Sequence, residues 1–222
     1  MSGPVTEIAY VPIKKSVDLE SGEGKSVLDE TLKTIASQKG CKRLSWGTQI
    51  ETPSIVQMAI DWESLDAHRA FIASDAYGPF LDRLATILDG SPHFFHIKLP
   101  VPSQESGTPS FDAPVTECVS LYFDPSLDEA TYNKSFSTFV AEAGKVQGSG
   151  ATGLVGGWGV ETHKVDRGED EKKFFGAFVG WPSVESHMEL WKKEEFRKVV
   201  ENLKEGVEKI KMHHVAFKRF EV

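Results

Sequence analysis

Apolar positions along this chain follow two spacings, one of strands and one of helices, and the order of those spacings is written twice. Residues 8–13 and 118–123 are short runs rich in Val, Ile, Leu and aromatic side chains with partial alternation, which predicts strands. Val27, Leu28, Leu32 and Ile35 then recur at helical spacing until Gly40, and Tyr132, Phe136, Phe139 and Val140 do so until Gly144. Residues 43–50 and 154–160 read as strands, each carrying a Trp-Gly pair (Trp46-Gly47 and Trp158-Gly159). Residues 54–62 and 174–181 predict the next strands, and residues 64–88 and 183–207 the next helices. The first of these helices is expected to break at 74–79, where Pro79 cannot continue it, and the second to run straighter. Residues 94–99 and 213–217 close the two series as strands.

The repetition extends to individual residues. Pro4-Val-Thr-Glu7 returns as Pro114-Val-Thr-Glu117, an offset of 110 (114 − 4). Trp62-Glu-Ser-Leu-Asp-Ala-His68 returns as Trp181-Pro-Ser-Val-Glu-Ser-His187, an offset of 119 (181 − 62). In each box a Ser and a nearby carboxylate suit the free N–H groups and positive dipole end of a helix N-terminus. The growing offset places an insertion in the second hairpin at 163–173, a charged segment expected to be a solvated tip. An internal repeat of this kind settles the organisation before anything else. Each copy reads β-α-β-β-α-β, the ferredoxin-like order, so the fold class is α+β. Two such sheets bury their open faces by packing against each other, an intramolecular pseudo-dimer forming an α+β barrel. The expected divisions are a first repeat at 1–99, a Pro/Ser/Gly linker at 100–113 and a second repeat at 114–222.

Composition narrows the role. The 222 residues carry a net charge of −8, which argues against nucleic acid or an anionic membrane surface as partner. No run approaches the roughly 18 apolar residues of a membrane span, and the first residues lack the basic-then-apolar design of a signal peptide, so a cytoplasmic protein is expected. Cys41 and Cys118 stand at unrelated positions and read as reduced thiols. No glycine-rich phosphate loop, H-x-x-x-H spacing or Cys/His cluster occurs, so no metal or cofactor is expected. His213 and His214 are adjacent on a strand and point to opposite faces, which makes a chelating pair unfavourable.

The Trp-Gly pairs, the two Trp-x-Ser-x-acidic-x-His boxes, Ser74-Asp-Ala-Tyr-Gly-Pro-Phe80 and the closing His96 and His214 resemble the dimeric α+β-barrel superfamily. They are most similar to antibiotic-biosynthesis-monooxygenase-like domains, in a tandem two-copy form associated with fungi. This resemblance spans nearly the whole chain outside the linker. It implies a pocket for a small apolar or aromatic ligand, and it implies several unrelated chemistries, because the scaffold hosts them all. Traced onto polyketide cyclases of the superfamily, their catalytic His falls on Tyr77 and its Tyr partner on Phe71, while the second copy has Phe196 and Leu190 there. The cyclase dyad is therefore missing. In haem-degrading relatives the axial His would fall near Leu81 and Val200, neither of which binds iron.

His68 and Tyr77 are the candidate catalytic residues, His68 as a general base and Tyr77 as a phenol able to give or take a proton if its pKa is lowered. The alternative for both His68 and His187 is a structural bridge from the helix start to neighbouring backbone. Trp46, Trp62, Phe71, His96, Trp158, His187 and His214 are the candidate ligand-binding residues, with core packing as the alternative for the tryptophans. Trp46 and Trp158, beside glycine, are expected next to open space. The first repeat is favoured as the active one because it holds His68, Tyr77 and His96 together. Three roles stay open: a cofactor-independent monooxygenase acting on an aromatic or polyketide-like metabolite, a non-catalytic ligand-binding or stress-related module, and an interaction surface on the long helices. Further pairing into a homodimer also stays open.

Overall fold

The computed structural model describes residues 3–99, 110–146, 148, 150–165 and 170–221. It divides into two compact units, Met1–Val101 with Val215–Val222, and Pro102–His214. The first unit contains β1 (Val5–Pro12), α1 (Gly22–Ala36), β2 (Cys41–Thr48), β3 (Ile55–Trp62), α2 (Leu65–Ile72), α3 (Tyr77–Ala85) and β4 (His93–Lys98). The second contains β5 (Val115–Phe123), α4 (Glu129–Ala143), β6 (Gly153–Gly159), β7 (His163–Lys164), β8 (Glu171–Trp181), α5 (Val184–Trp191), α6 (Glu194–Val200) and β9 (Val207–Val215). A short β10 (Lys218–Arg219) returns to pair with β2.

Both units have the β-α-β-β-α-β order expected of a ferredoxin-like repeat, with each second helix in two pieces. The strand order is β2-β3-β1-β4 in the first unit and β6-β8-β5-β9 in the second. The antiparallel registers repeat as well: Val5 pairs with Trp62 and Pro12 with Ile55, just as Val115 pairs with Trp181 and Phe123 with Lys173. Alternation along β1 sends Glu7, Ala9 and Val11 to the helix-covered face, with Met58, Ile60 and Trp62 beside them on β3. In the second unit Glu117, Val119 and Leu121 share that face with Ala177, Val179 and Trp181.

Neither long helix is continuous, and the second departs from the straight course expected of it. The first pauses between α2 and α3, and the second pauses at Lys192 and Lys193, where Lys193 takes an extended backbone as N-cap of α6. Helical phase explains both interruptions. Phe80 lies nine residues after Phe71, about 180° round an unbroken helix, and Phe196 lies six after Leu190, about 240° round. All four side chains are buried, so each helix must stop and restart to return them to the core. Pro79 is not the breaker; it sits in the first turn of α3, where its missing N–H has no helical partner to lose.

The helix starts follow the sequence closely. Ser64 and Ser183 have extended backbones, and their hydroxyls accept from the N–H groups of Ala67 and Ser186 at 3.2 Å each. Of the expected linker, the described residues Ser110, Phe111 and Ala113 are buried. Residues 100–109 lie outside the described set, but Phe111 is buried with its ring 4.9 Å from that of Phe178. The Ser110 carbonyl accepts from the Thr116 hydroxyl at 2.5 Å. Within the inserted hairpin, residues 166–169 lie outside the described set, whereas Val165 is buried and its carbonyl accepts from Lys211 Nζ at 2.7 Å.

The Trp-Gly pairs have a steric cause. A β-carbon on Gly47 would lie 2.4 Å from the Ala216 carbonyl oxygen, and one on Gly159 would lie 3.1 Å from the Glu161 carbonyl oxygen. The space beside Trp46 and Trp158 is thus filled rather than open, which corrects the expectation from sequence. Gly47→Ala should lower stability by about 1–3 kcal/mol, because the obstacle is backbone rather than a side chain that can swing away. Gly159→Ala should cost less. Urea denaturation of the two variants beside the parent chain checks the order.

Candidate functional site

A buried carboxylate, histidine and tryptophan meet in each unit, and strand register brings them together. In the first unit Glu7 on β1 is the cross-strand partner of His96 on β4, and Trp62 ends β3 just along the same face. The Trp62 indole Nε1–H donates to Glu7 Oε2 at 2.8 Å. His68, one turn into α2, stacks on Trp62 with centroids 4.9 Å apart and planes 18° apart. Its Nε2 lies 3.4 Å from Glu7 Oε2 and its Nδ1 lies 2.7 Å from His96 Nε2. Glu7, His68 and His96 are all buried.

The second unit reproduces the arrangement nearly atom for atom. Trp181 Nε1–H donates to Glu117 Oε2 at 3.0 Å, His187 stacks on Trp181 at 4.8 Å and 23°, and His187 Nδ1 lies 2.9 Å from His214 Nε2. His187 Nε2 is again 3.4 Å from the carboxylate, here Glu117 Oε2. One contact is new: Trp191 Nε1–H donates to His187 Nε2 at 2.6 Å. A nitrogen that accepts carries no proton, so neutral His187 holds its hydrogen on Nδ1 and donates it to His214.

Charge follows from this burial. Removal from water pushes the Glu117 carboxyl up to about 7, against the Trp181 hydrogen bond that favours its ionised form. Burial first, and the neighbouring His214 second, hold His187 down to about 4. At neutral pH His187 is therefore uncharged, and its 3.4 Å approach to Glu117 is not an ion pair. In the first unit burial, aided by Glu7, raises the Tyr77 phenol above its ordinary value. The lowered phenol considered from sequence is not what the fold provides.

Glu7, His68 and His96 place donor atoms within 4.8 Å of one another, near enough to consider a shared metal ion. His68, however, turns one nitrogen to Glu7 and the opposite one to His96. Three lone pairs do not converge on one point while that ring keeps its place, and the geometry is that of a hydrogen-bond chain.

Each chain of polar groups opens on an apolar cavity. The first unit's cavity is about 170 Å³, and its walls include Trp62, His68, Phe71, Tyr77, Phe80 and Phe94. The second unit's is about 460 Å³, with Glu117, Phe136, Phe139, Trp181, His187 and Trp191 among its walls. Of the residues proposed from sequence, Trp62, His68, Phe71 and Tyr77 meet at the first cavity, and His187 lies at the second. His96 and His214 stand behind their partner histidines. Trp46 and Trp158 line neither cavity. Lys218 Nζ lies 5.6 Å from the Trp46 ring centroid, while Trp158 packs on Phe123, Tyr132 and Phe175 and donates to Asn133 Oδ1 at 2.8 Å. The histidines do bridge, and the groups they join are a carboxylate and a second histidine.

Sequence reading missed Glu7, Glu117 and Trp191. The two glutamates close the repeated Pro-Val-Thr-Glu tetrapeptides and are charged residues inside otherwise apolar strands, a signal that was there to use. Trp191 follows His187 by four residues, a spacing that sets two side chains on one helix face.

No protein-family model matches the chain, and no curated protein matches it by sequence. Solved structures do match over its length. An anthrone oxidase-like protein superposes with a TM-score of 0.68 at 11% identity, covering 98% of this chain and 94% of its own. A candidate monooxygenase from Lactobacillus acidophilus NCFM gives 0.60 at 9% identity, covering 98% and 96%. One from Fusobacterium nucleatum subsp. nucleatum ATCC 25586 gives 0.59 at 14%, covering 98% and 94%. At these identities the likeness is one of fold: the chain is an α+β protein with the fold of monooxygenase-like structures. Among the described residues no helix is long and apolar enough to cross a membrane.

The position of Glu117 has a measurable effect on stability. A carboxyl raised from 4.5 to about 7 keeps its proton in the folded protein where the unfolded chain has lost it. Its contribution is full below about pH 4.5 and falls away as pH rises to about 7. Glu117→Gln, which preserves an acceptor for Trp181, removes that fall. Variant stability relative to the parent should therefore rise by on the order of 2 kcal/mol between pH 5 and pH 8. Urea unfolding at stepped pH measures the difference.

Proposed function

We propose that this chain binds an aromatic or polyketide-like metabolite in the apolar cavity of its second unit and works as a cofactor-independent monooxygenase. The observation that carries the reading is the cavity itself. Its volume of about 460 Å³ falls in the range of small-molecule sites, its walls are mostly apolar and aromatic, and a few polar groups converge on it. The solved structures that share the fold are named for monooxygenase and anthrone oxidase-like activity, which supports the chemistry by analogy of fold alone. The tandem, fungal-type form of the antibiotic-biosynthesis-monooxygenase-like domain belongs to the same proposal.

The reaction needs little beyond an oxidisable substrate. A base withdraws a proton from an activated CH₂ beside an aromatic ring, the carbanion gives its electrons to O₂, and the balanced outcome is a ketone and one water. His187 is the histidine at the larger cavity. His68 and Tyr77 hold the corresponding place in the smaller one, with the phenol serving as a hydrogen-bond donor there.

A second reading, a non-catalytic binder, draws on one specific observation: a histidine held down to about 4 is a weak base at neutral pH. A cyclase without the usual His/Tyr dyad is the third, and nothing at Phe71 or Tyr77 favours it. An oxygen electrode separates the first two. The purified chain, freed of metals by chelation, is given a hydroxylated anthrone with no flavin or metal added. Oxygen uptake matched to quinone formation, and reduced at least about tenfold by His187→Ala, is expected for the oxygenase. Binding without uptake establishes the binder, and absence of binding overturns both.

A further inference from the structure

Among the positions at which the two cavities differ, one changes the hydrogen bonding of the buried histidine. Trp191 in the second unit corresponds to Ile72 in the first (191 − 119). Its indole is half-buried, lines the 460 Å³ cavity and caps His187 Nε2 at 2.6 Å. The other nitrogen of His187 is held by His214 at 2.9 Å. Both ring nitrogens are thus engaged, and Nε2 is engaged by a side chain that is itself a wall of the cavity.

We propose that Trp191 stands in for the ligand: its N–H occupies the acceptor that a bound molecule uses, and the ligand enters by taking that hydrogen bond over. The proposal rests on the small-molecule reading given above and deepens it. Because His187 Nε2 accepts, the incoming group must donate, so the ligand carries an O–H or N–H. The Trp181 indole faces Glu117 and the Trp191 indole faces His187, so the indole N–H groups of the site are already spent. Among the described residues the cavity wall has no Arg and one Lys, Lys204, which is ion-paired with Glu201 at 2.6 Å, and its His187 is uncharged at neutral pH. An anionic ligand would therefore meet an unionised or negative Glu117 in apolar surroundings with little compensation. The class that fits is an uncharged, mainly apolar molecule with one hydroxyl or N–H at its inner end, such as a phenol or an enol. In the first unit the Ile72 side chain carries no N–H and is exposed, and the cavity is less than half as large.

Matched probes separate this exchange from ordinary packing. The full chain and its Trp191→Phe variant are titrated calorimetrically with 1-naphthol and with 1-methoxynaphthalene, which has the same rings but no donor. With the competing N–H gone, 1-naphthol should bind about tenfold more tightly to the variant, the worth of one hydrogen bond no longer contested. The methoxy compound should change by less than about twofold, because it never claims the nitrogen. Equal changes for both probes, or weaker naphthol binding, would reduce Trp191 to a wall and overturn the exchange while leaving the pocket reading intact. Failure of both probes to bind either protein would overturn the pocket reading, and this inference with it. Nitrogen-15 NMR of labelled histidine in the parent protein gives an independent answer: His187 Nε2 should be unprotonated in the free state, and a proton found there sinks the proposal.

Discussion

The buried tryptophan-to-glutamate hydrogen bond is the constraint on which each unit is built. A carboxylate placed inside an apolar strand is costly unless partners surround it. Here the partners come from three different elements. The indole arrives from the end of β3 or β8, the imidazole from the start of α2 or α5, and a second imidazole from the closing strand. Satisfying one polar group therefore fixes where the helix must begin and how far the strands must extend. It also gives a reason for the Ser caps at 64 and 183, since a helix started elsewhere would turn its histidine away from the carboxylate.

From this shared frame the units diverge by filling. In the first, Tyr77, Phe80 and Phe71 fold over one another with ring centroids 5.2–5.6 Å apart and take up space beneath the helices. In the second, Phe196 meets Trp191 edge-on at 5.6 Å and leaves a larger cavity beside it. Duplication thus preserved the polar centre while the aromatic lining changed. Chemistry and capacity have become separable properties of the same scaffold.

Much of this was legible in the chain. Strand and helix spacings, the double occurrence of Trp-x-Ser-x-acidic-x-His and the common offsets were sufficient for the β-α-β-β-α-β order, because periodicity is a local property. The break at 192–193 was hidden, since no Pro or Gly stands there; like the first break, it is demanded by where the later Phe must point, which is a property of packing. Trp46 and Trp158 looked like pocket walls because a neighbouring glycine suggests room. In fact the glycine is there because another part of the backbone already occupies the room. His68 and His187 were recognised as notable, yet their role could be read only once Glu7 and Glu117 were seen opposite them, and strand pairing across some 60 to 90 residues is not written in any local pattern.

The strand β10 carries a consequence for how the chain comes into being. It completes the outer edge of the first unit by pairing Lys218 with Trp46 and Arg219 with Ser45, although some 110 residues of the second unit lie between. A ribosome releases the chain from its amino end, so the second unit has wholly emerged before that edge can close. During translation the earlier-made half is the later-finished one, and the row of backbone groups along β2 at Ser45 and Trp46 waits uncovered until the other half has been spun out.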